Sequence, residues 1–294
     1  MALTDPDLTT LLSAAKKAAR EAASHIRLES VRKFEVFHKE GGNTEASQAL
    51  TEVDLASEKI ILESLHDVTK SFELGILTEE TEDDSSRHRA DYFWCIDPID
   101  GTLPFIKGEP GYSVVIALVS REGVSQLGVI WDVAADVCYH ALRGKGAFRE
   151  GRLIDPRKTE TPNRLSWFMD RSMAAQSNYS EWLEALTEVA HAKGLDGVDI
   201  INHAGAALNA SWSVTASPAV YFKCPKKEDG GGSVWDFAAS ACLYEALNLP
   251  VSDMFGQALN LNPEGSTFMN EAGVLYASSG EWVEAVQAIH GRLG

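Results

Sequence analysis

Residues 93–102 read FWCIDPIDGT and place two carboxylates directly after an apolar run. The run over residues 92–96 has the length and composition of a buried strand, so we expect Asp97 and Asp100 at the carboxyl end of that strand. Ionised carboxylates in this position repel each other and lose hydration. They therefore need cations, hydrogen-bond donors or solvent to stay charged.

The composition is that of a globular protein with an excess of acid. The 294 residues are 45% hydrophobic and 23% charged, enough for one large or two ordinary domains. The net charge of −17 has the wrong sign for binding a nucleic acid polymer or an anionic membrane. Four cysteines without a CxxC pair, an acidic start and no run of ~18 apolar residues lead us to expect a cytoplasmic protein outside the membrane.

Apolar residues at three- and four-residue steps predict two helices before this strand. The first spans residues 7–32, and the second begins near Thr51 with Glu58 and Lys59 on its solvent side. Further short apolar runs predict the strands of a mostly antiparallel meander. These runs lie at 113–119, 126–131 and 137–142.

Four segments place a carboxylate beside apolar sequence: TEVD at 51–54, LTEET at 77–81, DPIDGT at 97–102 and WDFAAS at 235–240. Each alone also fits a structural role, since Asp54 and Asp236 suit helix N-termini and LTEET suits a solvated loop. DPIDGT is harder to explain in this way, because Pro98 fixes the backbone between its aspartates and Gly101 leaves amides open to a ligand. Hard oxygen ligands without a His or Cys cluster indicate Mg²⁺ or Mn²⁺ rather than zinc.

The order and spacing of LTEET, DPIDGT and WDFAAS resemble the inositol monophosphatase superfamily, which includes 3'(2'),5'-bisphosphate nucleotidases and histidinol-phosphate phosphatases. The likeness covers most of the chain. It implies an α+β fold, a layered αβαβα sandwich of helices and sheets. It also implies a Mg²⁺-dependent phosphatase that uses two or three ions to hydrolyse a small phosphate monoester, with lithium sensitivity and a homodimer.

The resemblance also implies a role for individual residues. The metal ligands would be Glu79, Asp97, the main-chain carbonyl of Ile99, Asp100 and Asp236. Asp54 and Thr102 would orient and help deprotonate a metal-bound water, with Glu80 as a further catalytic group beside Glu79. The chemistry agrees, because phosphate ester hydrolysis needs a nucleophile at neutral pH and positive charge for the transferring group. Without cations, the acidic cluster would repel its own substrate.

Two further segments bear on phosphate and substrate binding. The amides of Gly101 and Thr102 would hold the phosphate. Gly205, Ala206 and Ala207 belong to a small-residue segment, HAGAALN at 203–209, that resembles the family's substrate-contacting segment but also suits an ordinary helix start. A basic cluster of Lys223, Lys226 and Lys227 either reaches an anionic substrate or forms a solvated loop.

A proline-containing connector at 152–164 predicts a domain boundary near residue 155. The N-terminal α+β domain, 1–154, would carry most metal ligands. The C-terminal α/β domain, 155–294, would contribute Asp236 and the substrate contacts.

The substrate itself is left open between branches of the superfamily. The segment GAALN is similar to inositol monophosphatases, whereas LTEET and the strand SVVIALV are similar to the nucleotidases. An inositol monophosphatase-like enzyme is the first expectation, with a bisphosphate nucleotidase or a histidinol-phosphate phosphatase as alternatives. From a different class, a catalytically silent metal- or phosphate-binding protein would keep the same carboxylates without turnover.

Overall fold

Helices and strands alternate in five layers. The computed structural model describes residues 2–32, 35–38, 49–158 and 163–293. An outer helix pair covers a seven-stranded sheet, two helices lie between this sheet and a five-stranded sheet, and a second helix pair covers the far side. The α+β fold and the layered αβαβα sandwich are thus confirmed.

Side-chain caps start some of the eight α-helices in the described part of the chain. The helices are α1 Asp5–Glu29, α2 Glu52–Ser71, α3 Ser86–Arg89, α4 Thr102–Ile106, α5 Tyr179–Ala192, α6 Ala206–Ser213, α7 Val234–Ala246 and α8 Gly280–Leu293. Thr4 caps α1 in a capping box with Asp7, and Thr51 caps α2 in the same way with Asp54. The predicted start of the second helix near Thr51 is confirmed. None of the described helices is long and apolar enough to cross a bilayer.

The strands form a hairpin and two sheets. They are β1 Val36–His38, β2 Ala49–Thr51, β3 Gly75–Thr78, β4 Tyr92–Asp100, β5 Ser113–Ser120, β6 Ser125–Asp132, β7 Val137–Leu142, β8 Gly146–Arg149, β9 Arg152–Leu153, β10 Leu165–Phe168, β11 Val198–Ile201, β12 Ala219–Lys223, β13 Val251–Ser252 and β14 Val274–Ala277. The larger sheet follows chain order from β3 to β9, with β3 parallel to β4 and the later neighbours antiparallel. This confirms the meander. The smaller sheet has the order β11-β10-β12-β14-β13.

Both faces of the larger sheet are buried, which explains the uninterrupted apolar runs. In β4, Trp94 and Ile96 pack against α1 and α2, whereas Phe93 and Cys95 face α6 and α7. Successive residues of a strand point to opposite faces, so a strand covered on both sides needs apolar residues throughout. The α7 helix lies so close to β6 that a Cβ at Gly128 would stand 2.5 Å from the carbonyl oxygen of Ala239.

The seven-stranded sheet ends at Leu153 and the five-stranded sheet begins at Leu165. The predicted domain boundary near residue 155 falls between them and stays a prediction. The middle helices join the two halves of the chain, because α7 packs against the larger sheet on one side and contributes Phe237 and Tyr244 to the core beside the smaller sheet.

Candidate metal centre and active site

Three carboxylates converge where β4 meets the N-terminus of α7. Oxygens of Asp97, Asp100 and Asp236 lie within 4.8 Å of one another. The first two lie within β4, which extends through Asp100 and is therefore longer than the predicted strand. Between them the pairing with β5 shifts, so that three steps along β4 match two along β5. This extra residue is a β-bulge, and it allows two side chains at an odd spacing to turn towards the same site.

Asp100 is fixed by the start of α6. Its two carboxylate oxygens accept hydrogen bonds from the amides of Ala206 and Ala207, both at 2.9 Å, and Ser113 donates a third at 3.3 Å. A helix N-terminus favours negative charge. A Cβ at Gly205 would stand 2.5 Å from both carboxylate oxygens, so only glycine leaves room for this contact.

The other two carboxylates are held by local backbone. Asp97 accepts the amide hydrogen of Ile99 at 3.0 Å, and Asp236 accepts that of Ser233 at 2.5 Å in the capping box of α7. Asp236 therefore does cap a helix, as its sequence context also allowed. The cap fixes one oxygen of the carboxylate and aims the group at β4.

Burial and mutual repulsion raise the pKa of all three carboxyls. Burial is the larger cause for Asp97, whose pKa rises well above its usual value, and the nearby charges of Glu79, Asp100 and Asp236 add to it. Burial and the charge of Asp236 raise the pKa of Asp100 to about 8. Burial raises the pKa of Asp236 to about 6, with the Lys223 ammonium limiting the increase. Three ionised carboxylates at neutral pH therefore require a cation.

The donor set around this cluster fits a hard divalent cation. A cavity of about 500 Å³ is lined by all five residues predicted as ligands, Glu79, Asp97, Ile99, Asp100 and Asp236. The carbonyl oxygen of Ile99 accepts the hydroxyl hydrogen of Thr102 at 3.1 Å and retains a second lone pair for another partner. The family's predicted ligands are thus brought together from three separate segments of the chain.

The predicted pair of Asp54 and Thr102 is also brought together. The hydroxyl of Thr102 lies 3.3 Å from Oδ1 of Asp54, and Thr102 lines the cavity. The other oxygen of Asp54 caps α2 through the amide of Thr51 at 2.8 Å. One carboxylate therefore caps the start of α2 and contacts the cavity wall.

Some of the small residues that were predicted to contact phosphate or substrate line the cavity, and one does not. Gly101 lines the cavity in a left-handed conformation with φ of 89°, and a Cβ there would stand 2.7 Å from the carbonyl oxygen of Gly111. Gly205 and Ala206 also line the cavity, whereas Ala207 is fully buried. Because the amides of Ala206 and Ala207 already donate to Asp100, their substrate contacts stay a prediction.

Glu58 positions the LTEET loop, a role that the sequence analysis missed. Its carboxylate is 5% exposed and accepts hydrogen bonds from the hydroxyls of Thr78 and Thr81, both at 2.5 Å, and from the amide of Glu80 at 3.0 Å. The prediction that Glu58 faces solvent is wrong, although its neighbour Lys59 is 76% exposed. The signal was its spacing, since residues four apart share one face of a helix and Glu58 follows Asp54 by four.

Glu80 lies beside the cavity wall rather than in it. Its amide bonds to Glu58, and it is absent from the described residues that line the cavity, whereas Glu79 is present. Glu79 contacts the side chain of Asp97. The loop therefore turns the first of its two acids towards the cluster.

Lys223 is a second residue whose position the sequence left open. Its side chain, 16% exposed, forms an ion pair with Asp170 at 2.6 Å, and Tyr221 donates to the same carboxylate at 3.0 Å. Burial opposes the charge of Lys223, but Asp170 and Asp236 leave its pKa raised. Of the three lysines in the basic cluster, Lys227 alone is exposed, and the other two are half-buried.

The family model of the inositol monophosphatase family matches residues 7–291. This chain belongs to the inositol monophosphatase family. The predicted resemblance is therefore confirmed over nearly the whole sequence.

Curated relatives of this chain carry names of more than one kind. An inositol-1-monophosphatase of Bacillus subtilis is 23% identical over 267 residues, 89% of each chain. A Nus factor SuhB of Pseudomonas aeruginosa is 29% identical over 84% of this chain and 86% of its own. A histidinol-phosphatase of Chlorobaculum parvum is 37% identical, but over only 50% of this chain and 51% of its own. Phosphatases of small molecules are thus among the relatives.

Solved structures of the family share this fold. An inositol monophosphatase from Anabaena superposes with a TM-score of 0.69 at 24% identity, covering 98% of this chain and 97% of its own. An inositol monophosphatase of Thermotoga maritima gives a TM-score of 0.70 at 22% identity, covering 95% and 97%.

Truncating Glu58 should destabilise the protein. In Glu58→Ala, the amide of Glu80 and the hydroxyls of Thr78 and Thr81 lose a buried acceptor, which should lower the free energy of unfolding by about 2 kcal/mol or more. Glu63→Ala is the matched control, since Glu63 lies on the same helix with its side chain 69% exposed. Urea denaturation measures both variants, and equal losses would contradict the positioning role.

The raised pKa values predict how stability depends on pH. The folded protein keeps protons on Asp100 and Asp236 up to their raised pKa values of about 8 and about 6, whereas the unfolded chain releases them near the ordinary aspartate pKa of 3.8. Because the folded state binds more protons, these groups stabilise it at low pH and lose that contribution as pH rises through this range. Mg²⁺ should therefore raise the melting temperature more near pH 8 than near pH 5, because a protonated carboxyl does not bind a metal. A melting temperature independent of Mg²⁺ near pH 8 would contradict a cation site.

Proposed function

We propose that this protein is a Mg²⁺-dependent phosphatase that hydrolyses a small-molecule phosphate monoester. The observation that carries the proposal is the cavity in which three mutually repelling carboxylates lie beside Glu79, the Ile99 carbonyl and the hydroxyl of Thr102. Membership of a family that includes an enzyme named inositol-1-monophosphatase supports the same reaction class.

We assign the cation site to the five predicted ligands, which would hold two or three Mg²⁺ ions, or Mn²⁺ in their place. They are Glu79, Asp97, the carbonyl of Ile99, Asp100 and Asp236. Bound ions of this kind supply positive charge to the phosphoryl oxygens and lower the pKa of water in the cavity. The raised pKa values of the free carboxyls support this assignment, because they indicate a cluster that lacks compensating charge.

The remaining steps belong to the side chains and amides of the cavity wall. The Thr102 hydroxyl would accept a hydrogen bond from the attacking water and turn its own hydrogen from the Ile99 carbonyl to Oδ1 of Asp54. The proton that the water loses would then pass through Thr102 to the Asp54 carboxylate, which becomes a neutral carboxyl group. The amides of Gly101 and Thr102 would hold the phosphate at the turn into α4. Glu80 would act through its amide, which keeps the loop of Glu79 in place.

The substrate proposed first is an inositol phosphate, as for the Bacillus subtilis relative. A histidinol-phosphate phosphatase is a second candidate, supported by the Chlorobaculum parvum relative. A 3'(2'),5'-bisphosphate nucleotidase remains a third. From a different class, a metal- or phosphate-binding protein without turnover is the alternative, against which the complete set of predicted ligands argues.

Three further properties are proposed, the first two from family membership and the third from the cysteine content of the sequence. We expect a homodimer, inhibition by lithium and a cytoplasmic location. Gel filtration, a lithium titration of phosphate release and localisation of a tagged chain test them separately.

The conservative change Asp100→Asn tests the reaction. It removes one charge of the cluster, so Mg²⁺-dependent phosphate release should fall on the order of 100-fold or more. Release is measured with inositol 1-phosphate, histidinol phosphate, adenosine 3',5'-bisphosphate and fructose 1,6-bisphosphate. Asp67→Asn is the matched control, because Asp67 is fully exposed on α2.

Circular dichroism of the Asp100→Asn variant separates lost turnover from lost folding. Mg²⁺-dependent release that is unchanged in this variant would contradict the proposed site. Absence of release from all four compounds by the wild-type protein would favour a protein without turnover.

A further inference from the structure

Three cationic side chains line the cavity of this acidic protein. Arg171, Lys223 and Lys226 line the same cavity of about 500 Å³ as the carboxylate cluster. The chain carries a net charge of −17, so these three side chains supply local positive charge within an acidic protein. Local cations of this kind reverse the field in part of an acidic pocket.

The three cations differ in how far other groups already engage them. Arg171 pairs with Glu109 at 2.7 Å, and Lys223 pairs with Asp170 at 2.6 Å and donates to the carbonyl of Gly231 at 2.5 Å. For Lys226, no carboxylate partner of its ammonium is found among the residues that the structure describes. Its ammonium is therefore the cation most available to a ligand.

The backbone of Lys226 is nevertheless fixed. Its amide donates to the carbonyl of Asn270 at 2.8 Å, and the side-chain amide of Asn270 donates back to the carbonyl of Lys226 at 3.1 Å. This reciprocal pair holds the residue at the cavity, and the side chain is half-buried. A fixed backbone lowers the entropy that a lysine loses when it binds a ligand.

A glycine turn makes room for both lysines. Residues 230–232 are three consecutive glycines with φ of 107°, 83° and 114°, and all three line the cavity. A Cβ at Gly231 would stand 3.0 Å from Cε of Lys226, and one at Gly232 would stand 3.0 Å from Nζ of Lys223. Side chains at these positions would occupy the space of the two lysine side chains. The glycine turn therefore shapes the part of the cavity wall in which Lys223 and Lys226 lie.

We propose that Lys226, supported by Lys223 across the glycine turn, binds a second anionic group on the substrate. The substrate class is then a phosphate monoester whose alcohol part carries a carboxylate or another phosphate, so an inositol monophosphate, with its uncharged ring, would be a poorer substrate than such a compound. This inference rests on the proposed phosphatase function, in which the carboxylate cluster and its cations take the phosphate that is released. A neutral polyol would leave the Lys226 ammonium without a partner, whereas a second anion would form a charge-assisted hydrogen bond with it.

The test compares two substrates that differ by one anionic group. Glycerol 2-phosphate and 2-phosphoglycerate share a skeleton, with a carboxylate in the second in place of a hydroxymethyl group. Adenosine 3'-monophosphate and adenosine 3',5'-bisphosphate form the second arm, in which the additional anion is a phosphate. The arm with the larger preference, expressed as a ratio of kcat/KM values, identifies the kind of anion.

Lys226→Gln should lower the preference for the doubly anionic substrate about tenfold, the usual effect of losing one charge-assisted hydrogen bond. Lys227→Gln is the matched control, because this neighbouring lysine is exposed and is not among the described residues that line the cavity. It should leave the preference unchanged. Mg²⁺-dependent release without any preference, or with a preference that Lys226→Gln preserves, overturns this inference and leaves the proposed function intact.

A binding titration covers the case in which no substrate is hydrolysed, which would overturn the proposed function. Calorimetry with 2-phosphoglycerate and adenosine 3',5'-bisphosphate in Mg²⁺ then compares the wild-type protein with the same two variants. Binding that weakens about tenfold in Lys226→Gln but not in Lys227→Gln supports the anion site. Equal binding by all three proteins overturns it.

Discussion

The repulsion among three buried carboxylates is the constraint on which the rest of the structure depends. Asp97, Asp100 and Asp236 bring oxygens within 4.8 Å of one another, at positions where burial raises the pKa of each. Such an arrangement destabilises a folded chain that has no compensating charge. The fold must therefore hold the three groups in place against their own repulsion, which is the behaviour expected of a site built for a cation.

Backbone groups of several helices and strands hold the three carboxylates in place. The β-bulge in β4 turns Asp97 and Asp100 to one side, the first amides of α6 bind Asp100, and the capping box of α7 fixes Asp236. The layered architecture brings these helix starts to the end of β4, because α6 and α7 lie between the two sheets. The same five layers that form the core thus position the site.

Sequence patterns predicted the features of the fold and the site that depend on residues close together in the chain. The motif around residues 97–102 identified the clustered aspartates, and Thr51 with Asp54 identified the start of α2, because a cap and its helix are adjacent in sequence. The sequence did not reveal the partners of Glu58 and Lys223, since Glu58 bonds to a segment about twenty residues away and Lys223 pairs with Asp170, which follows the neighbouring strand β10. Periodicity alone places a helical residue on a face and does not reveal which buried donors that face will meet.

Direct observation of bound cations tests whether the carboxylate cluster is a cation site. Crystals grown with Mn²⁺ and measured at a wavelength where Mn²⁺ scatters anomalously locate each ion independently of turnover. We expect anomalous density beside Asp97, Asp100 and Asp236, with Glu79 and the Ile99 carbonyl at its edge. A well-ordered site without anomalous density at saturating Mn²⁺ would contradict it.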